Sequence, residues 1–101
     1  MLLKISPDTI VETDQIELIA DRGDGKLSLH LRGGERVAYQ SSLSALAEQL
    51  KIIALDATRA GPVSAIVAIR ARGDGLAMVE TIGGLSHTSR DTFAAIATAA
   101  I

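Results

Sequence analysis

Apolar and polar residues alternate most clearly between residues 16 and 32. Ile16, Leu18 and Ala20 share one face of a strand over 16–21. Leu27, Leu29 and Leu31 share one face of a return strand over 26–32, with Ser28, His30 and Arg32 opposite. Gly23-Asp24-Gly25 stands between the two runs. Asp-Gly at that place predicts a hairpin, because a tight turn needs a positive φ that glycine adopts without strain. Gly33-Gly34 marks a second turn and 36–40 a further strand, while 2–5 reads as an earlier strand ended by Pro7 and Asp8. From Leu43 the period changes: Leu43, Leu46, Ala47 and Leu50 recur at helical spacing, so 43–50 is predicted to be a helix capped by Ser41 or Ser42.

The second half runs through the same series. Residues 52–55 form a strand, 66–71 and 76–82 a hairpin around Asp74-Gly75, and 85–88 a weaker strand. A final helix, capped by Ser89 or Asp91, packs Phe93, Ile96, Ala97 and Ala100. Its outer face is also rich in alanine, which makes Phe93, Ile96, Ala97 and Ile101 a candidate subunit interface.

Sliding the chain by 50 residues aligns the halves without a gap. IELIADRGDG at 16–25 falls on IVAIRARGDG at 66–75, Gly33-Gly34 on Gly83-Gly84, and Ala45 and Ala47 on Ala95 and Ala97. Ten of the 35 positions from 16–50 are identical to 66–100, and pairs such as Leu29/Val79, Leu43/Phe93 and Leu46/Ile96 stay apolar. Turn chemistry alone explains the recurring Gly and Asp, but not the kept spacing from hairpin to Gly-Gly to helix. The expected architecture is therefore α+β: a tandem duplication of a ββββα unit, 1–50 and 51–101, packed as one pseudo-two-fold domain over 1–101.

Composition narrows the chemistry. The chain has 101 residues, of which 48% are hydrophobic, enough for a core at this length. It has no cysteine, which excludes disulfides, thiol catalysis and thiolate metal sites. Lys4 and Asp8 interrupt the apolar start before a signal sequence forms, and no apolar run reaches the ~20 residues of a membrane span, so a cytoplasmic protein without membrane contact is expected. The net charge of −2 gives no global basic footprint for nucleic acid, and the presence of only Tyr39 and Phe93 as aromatics disfavours single-strand binding by base stacking.

No catalytic constellation emerges. Arg-Gly-Asp occurs at 22–24 and 72–74, where turn geometry explains Gly and Asp and leaves only Arg22 and Arg72 over. His87, with Ser86 and Ser89 near it, lacks an acidic partner in sequence. Asp8, Glu12, Asp14 and Glu17 read as solvated charge around a turn, and no metal-ligand or phosphate-loop spacing occurs. No cofactor and no enzymatic activity are expected.

Asp14-Gln15-Ile16-x-x-Ile19, a hairpin, a glycine turn and Ser42-Leu43-x-x-Leu46-x-x-x-Leu50 resemble the first half of LytTR-type DNA-binding domains. Ile66-x-x-Ile69, a hairpin, Gly83-Gly84 and Ser89-Arg90 before the last helix resemble the second half. The sequence departs from that family at Asp56-Ala57-Thr58, where the family carries His-Arg-Ser, and at Pro62, where it often has Asn. Each half is also similar to small FlbD-like units and to short phage-type proteins. The resemblance implies a duplex-DNA partner, met by Arg22, Arg59, Arg72 and Arg90 at the phosphates. The absence of catalytic groups, the acidic balance and the apolar last helix point first to another role: a non-catalytic protein-interaction module, of the kind used by phage or mobile-element accessory and inhibitor proteins, with itself or another protein as partner. A LytTR-like transcriptional regulator is the alternative.

Overall fold

The alternating runs fold as antiparallel hairpins. The computed structural model describes residues 1–100. The first half runs β1 (Leu2–Ser6), β2 (Thr9–Glu12), a 3-10 turn at Thr13–Gln15, β3 (Ile16–Asp21), β4 (Leu27–Leu31), β5 (Arg36–Tyr39) and α1 (Leu43–Ala47). The second runs β6 (Ile52–Ala54), β7 (Arg59–Pro62), a 3-10 turn at Val63–Ala65, β8 (Ile66–Ala71), β9 (Leu76–Thr81), β10 (Ser86–Thr92) and α2 (Phe93–Ala100). The class is α+β, dominated by strands.

Strand register recurs at the 50-residue offset. Leu2↔Glu12, Leu3↔Val11 and Lys4↔Ile10 correspond to Ile52↔Pro62, Ile53↔Gly61 and Ala54↔Ala60. The five pairs of β3 with β4 have five counterparts between β8 and β9, including the irregularity between Ile16 and Leu18 that returns between Ile66 and Ala68. Both hairpins close alike: Arg22 N–H donates to Lys26 O at 3.0 Å and Arg72 N–H to Leu76 O at 2.8 Å. Gly25 and Gly75 have φ of +81° and +85°, the left-handed conformation this turn demands. Asp24 and Asp74 turn a carboxylate oxygen back onto the N–H of Lys26 and Leu76, the local bonding that makes Asp a turn residue.

The core follows the same offset. Leu3, Ile5, Leu27, Leu29 and Leu46 belong to one buried cluster; Ile53, Leu55, Ala77, Val79 and Ile96 belong to the other. Burying each large aliphatic side chain contributes about 1.5–3 kcal/mol. Leu18 crosses over: it lies on β3 in the first half yet packs in the second cluster.

That crossing follows from the sheet order. A five-stranded sheet, β5-β4-β3-β7-β6, is flanked by a two-stranded sheet, β1-β2, and a three-stranded one, β10-β9-β8. The β6–β7 hairpin of the second half lies on the edge of β3, with Ile19 opposite Ala60 and Ala20 opposite Arg59. A two-fold axis between the halves would lay β2 along β8 in the same way, but these strands stand in different sheets. The expected pseudo-two-fold packing is thus corrected to a head-to-tail arrangement, in a molecule of 45 × 25 × 21 Å.

Each half has five strands where four were expected. Pro7 and Asp8 turn the chain into a hairpin whose second arm, β2, is too short to show alternation. In β7, Gly61 and Pro62 mask the strand; Pro62 is its last residue, where a missing N–H is tolerated. α1 stops at Ala47, short of the predicted 50, because the N–H groups of both Gln49 and Leu50 turn onto Leu46 O. Ser42 caps it, accepting from Ala45 N–H at 3.1 Å. α2 is capped by Thr92, which accepts from Ala95 N–H at 3.2 Å, and not by Ser89 or Asp91, since β10 extends through both.

Candidate nucleic-acid interface

The four arginines singled out from sequence lie on segments bonded to one another in series. Arg22 begins the β3–β4 turn. Beside it, Asp21 N–H donates to Thr58 O at 2.6 Å, joining that turn to the β6–β7 turn and Arg59. On the far side, Arg90 N–H donates to Leu55 O at 2.9 Å and brings β10 alongside. Arg72, at the end of β8, reaches β10 directly, its Nη1 donating to Thr88 Oγ1 at 3.0 Å. Residues up to 68 positions apart in sequence, Arg22 and Arg90, therefore belong to one continuous set of turns and strand.

Their electrostatic states differ. Arg59 is held by Asp56, with Nη2 and Nε each 2.7 Å from Oδ2. Thr58 and Arg59 N–H groups also donate to Asp56 Oδ1. Chiefly the Thr58 N–H, with the Arg59 charge and against partial desolvation, lowers the Asp56 pKa to about 2. Arg72 lies 3.3 Å from Asp74 Oδ2. Arg22 and Arg90 are exposed and form no ion pair among the described residues. The carboxylate of Asp21 is engaged by Gly23 N–H at 2.9 Å, which directs that acid into the turn beside Arg22. Exposed cations flanked by inward-turned carboxylates can meet an anionic backbone.

A second polar group sits where the halves meet. Glu17, read from sequence as solvated, is 5% exposed and accepts a hydrogen bond from the Thr81 hydroxyl. His87 and His30 both have lowered pKa values, first because burial disfavours the imidazolium and then because of Arg59 and Arg36 respectively; Glu17 opposes both shifts. Ser89, adjacent to this group in sequence, is buried, donating to Leu55 O at 3.1 Å and accepting from Asp91 N–H at 3.0 Å. Its hydroxyl is committed to pinning β10 on the β6–β7 turn. Nothing in sequence spacing signals Glu17 or Thr81, which meet across 64 residues; Asp56 acts locally, on Thr58 and Arg59.

The candidate interface residues on α2 divide. Ile96 is buried in the core, Ala97 is half-buried and Phe93 is exposed. Ile101 lies outside the described residues.

No family model and no curated protein matches the chain. Among solved structures, it superposes on the LytTr DNA-binding domain of a protein assigned as a methyl-accepting/DNA response regulator from Bacillus cereus. The TM-score is 0.69 at 16% identity, covering 97% of this chain and 89% of that one. The fold is that of a LytTr DNA-binding domain. The likeness covers 97% of this chain and so spans both halves. No helix among the described residues is long and apolar enough to cross a membrane.

Proposed function

We propose that the protein binds duplex DNA through the segments that carry Arg22, Arg59, Arg72 and Arg90. The observation that carries this reading is the near full-length likeness to a LytTr DNA-binding domain, and the bonded series of turns bearing the four arginines supports it. The likeness favours this reading over the accessory or inhibitor module that composition put first. The role we propose is binding, and the Ser89 hydroxyl, engaged with Leu55 O and Asp91 N–H, serves structure.

We read the two halves as a tandem duplication forming one domain. Its support is the shared register, turn closure and core at the 50-residue offset.

The test is fluorescence anisotropy of labelled random-sequence duplex DNA over a series of salt concentrations. Binding near ~10⁻⁴–10⁻⁶ M that weakens as salt rises is the expected result. A flat titration at low salt removes the proposal.

A further inference from the structure

All but one of the strand contacts described above have a counterpart 50 residues away. The exception is the joint, where β7 lies on β3. Its counterpart would lay β2 on β8, with Ile10 opposite Ile69 and Thr9 opposite Arg70. Within this chain the two strands stand in separate sheets, each with one neighbour and one open edge. Open edges offer unpaired backbone donors and acceptors, and are ordinarily guarded by charge or cover.

Besides the charged Arg70 on β8, these edges carry exposed apolar side chains. Ala60, at the joint, is 1% exposed, and its counterpart Ile10 is 61% exposed. Glu17, at the joint, is 5% exposed, and its counterpart Val67 is 65% exposed. At these two positions the internal joint covers a small or a hydrogen-bonded residue, and the uncovered counterpart is a large or an apolar one. Partner chemistry changes in step. Across the joint Thr81 meets Glu17; at the same offset, Leu31 of a second copy would meet Val67. A polar pair inside becomes an apolar pair between copies.

We infer that two copies of this chain associate head to tail, the β1–β2 hairpin of one adding to the β8 edge of the other. The geometry is that of the internal joint, and Ala68 enters the neighbour's first core as Leu18 enters the second core here. Such an interface is heterologous, so each added copy presents a fresh β8 edge and assembly does not close at two.

The test uses sedimentation equilibrium on the chain and on two variants, Ile10→Lys and Val67→Lys. Both positions are exposed, and unchanged far-ultraviolet circular dichroism confirms that the variants fold. The wild-type mass is expected to rise with concentration past twice the 10.5 kDa chain mass. Either variant alone stays at 10.5 kDa. An equimolar mixture forms a dimer that grows no further, because Val67→Lys supplies an intact β2 and Ile10→Lys an intact β8. A wild type that remains monomeric to millimolar concentration overturns the inference. So does association of one variant alone, which signals a symmetric contact, or a mixture that stays monomeric.

Discussion

Gly33 and Gly83 hold the same place in two Gly-Gly turns but are glycine for different reasons. Gly33 has φ +93° and open space around it. Gly83 has no positive φ; a Cβ there would overlap the Glu17 carboxylate. That carboxylate is buried and bonded to Thr81, so it cannot swing clear. Gly83→Ala is therefore expected to cost about 1–3 kcal/mol, as overpacking does. In a double-mutant cycle with Glu17→Ala, measured by urea unfolding, most of that cost should vanish. An additive cycle would mean that Gly83 is not glycine on account of Glu17. Asp56 gives a second residue-scale prediction. Its folded pKa of about 2 is below the ordinary carboxylate value of 3.8. The stabilisation is thus fully present above about pH 4 and is lost as pH falls through about 2. Discounted for partial exposure it amounts to about 1–2 kcal/mol, or roughly 4–16 °C in melting temperature for a chain of this size. Asp56→Asn should melt lower by that amount at pH 7, the gap closing as pH approaches 2.

At the scale of elements, the long alternating strands and the repeat offset were legible in the sequence. The short strands were not. β2 follows Pro7-Asp8 and has four residues; β7 contains Gly61 and Pro62, residues that ordinarily argue against a strand. What makes β7 a strand is tertiary: Ala60 and Gly61 are small enough to lie buried against β3. The cap of α2 differs from the sequence expectation for a related reason. Ser89 and Asp91 have the chemistry of caps, but Ser89 is taken by Leu55 O and Asp91 N–H, leaving Thr92 to serve the helix. Thermal denaturation should separate these roles. Thr92→Ala loses a cap, about 1 kcal/mol. Ser89→Ala removes both hydrogen bonds of a buried hydroxyl, to Leu55 O and from Asp91 N–H, and costs about 1–3 kcal/mol. It should also increase hydrogen exchange at Arg90 and Asp91, where β10 meets the β6–β7 turn; Thr92→Ala should increase it in the first turn of α2.

For the whole molecule, the sequence offers four candidate arginines but not the bonds between the segments that carry them. The link Asp21–Thr58 crosses from the first half to the second, whereas Leu55–Arg90 and Arg72–Thr88 lie within the second half. With a net charge of −2, the proposed DNA binding rests on this local set and not on a general field. The salt dependence can count it. Each phosphate neutralised contributes about 0.9 to the slope of log K against log salt. Arg22 and Arg90 carry no ion pair among the described residues, whereas Arg59 and Arg72 must share theirs with Asp56 and Asp74. The expected slope therefore lies between about −1.8, if only the free pair contacts phosphate, and about −3.6, if all four do. Arg22→Ala with Arg90→Ala should reduce its magnitude by about 1.8 and leave the melting temperature unchanged. Arg59→Ala should instead lower the melting temperature, because it strips Asp56 of its partner. A steeper slope than −3.6 would mean that cations outside this set carry the contact, and a double variant that binds with the wild-type slope would remove Arg22 and Arg90 from the interface.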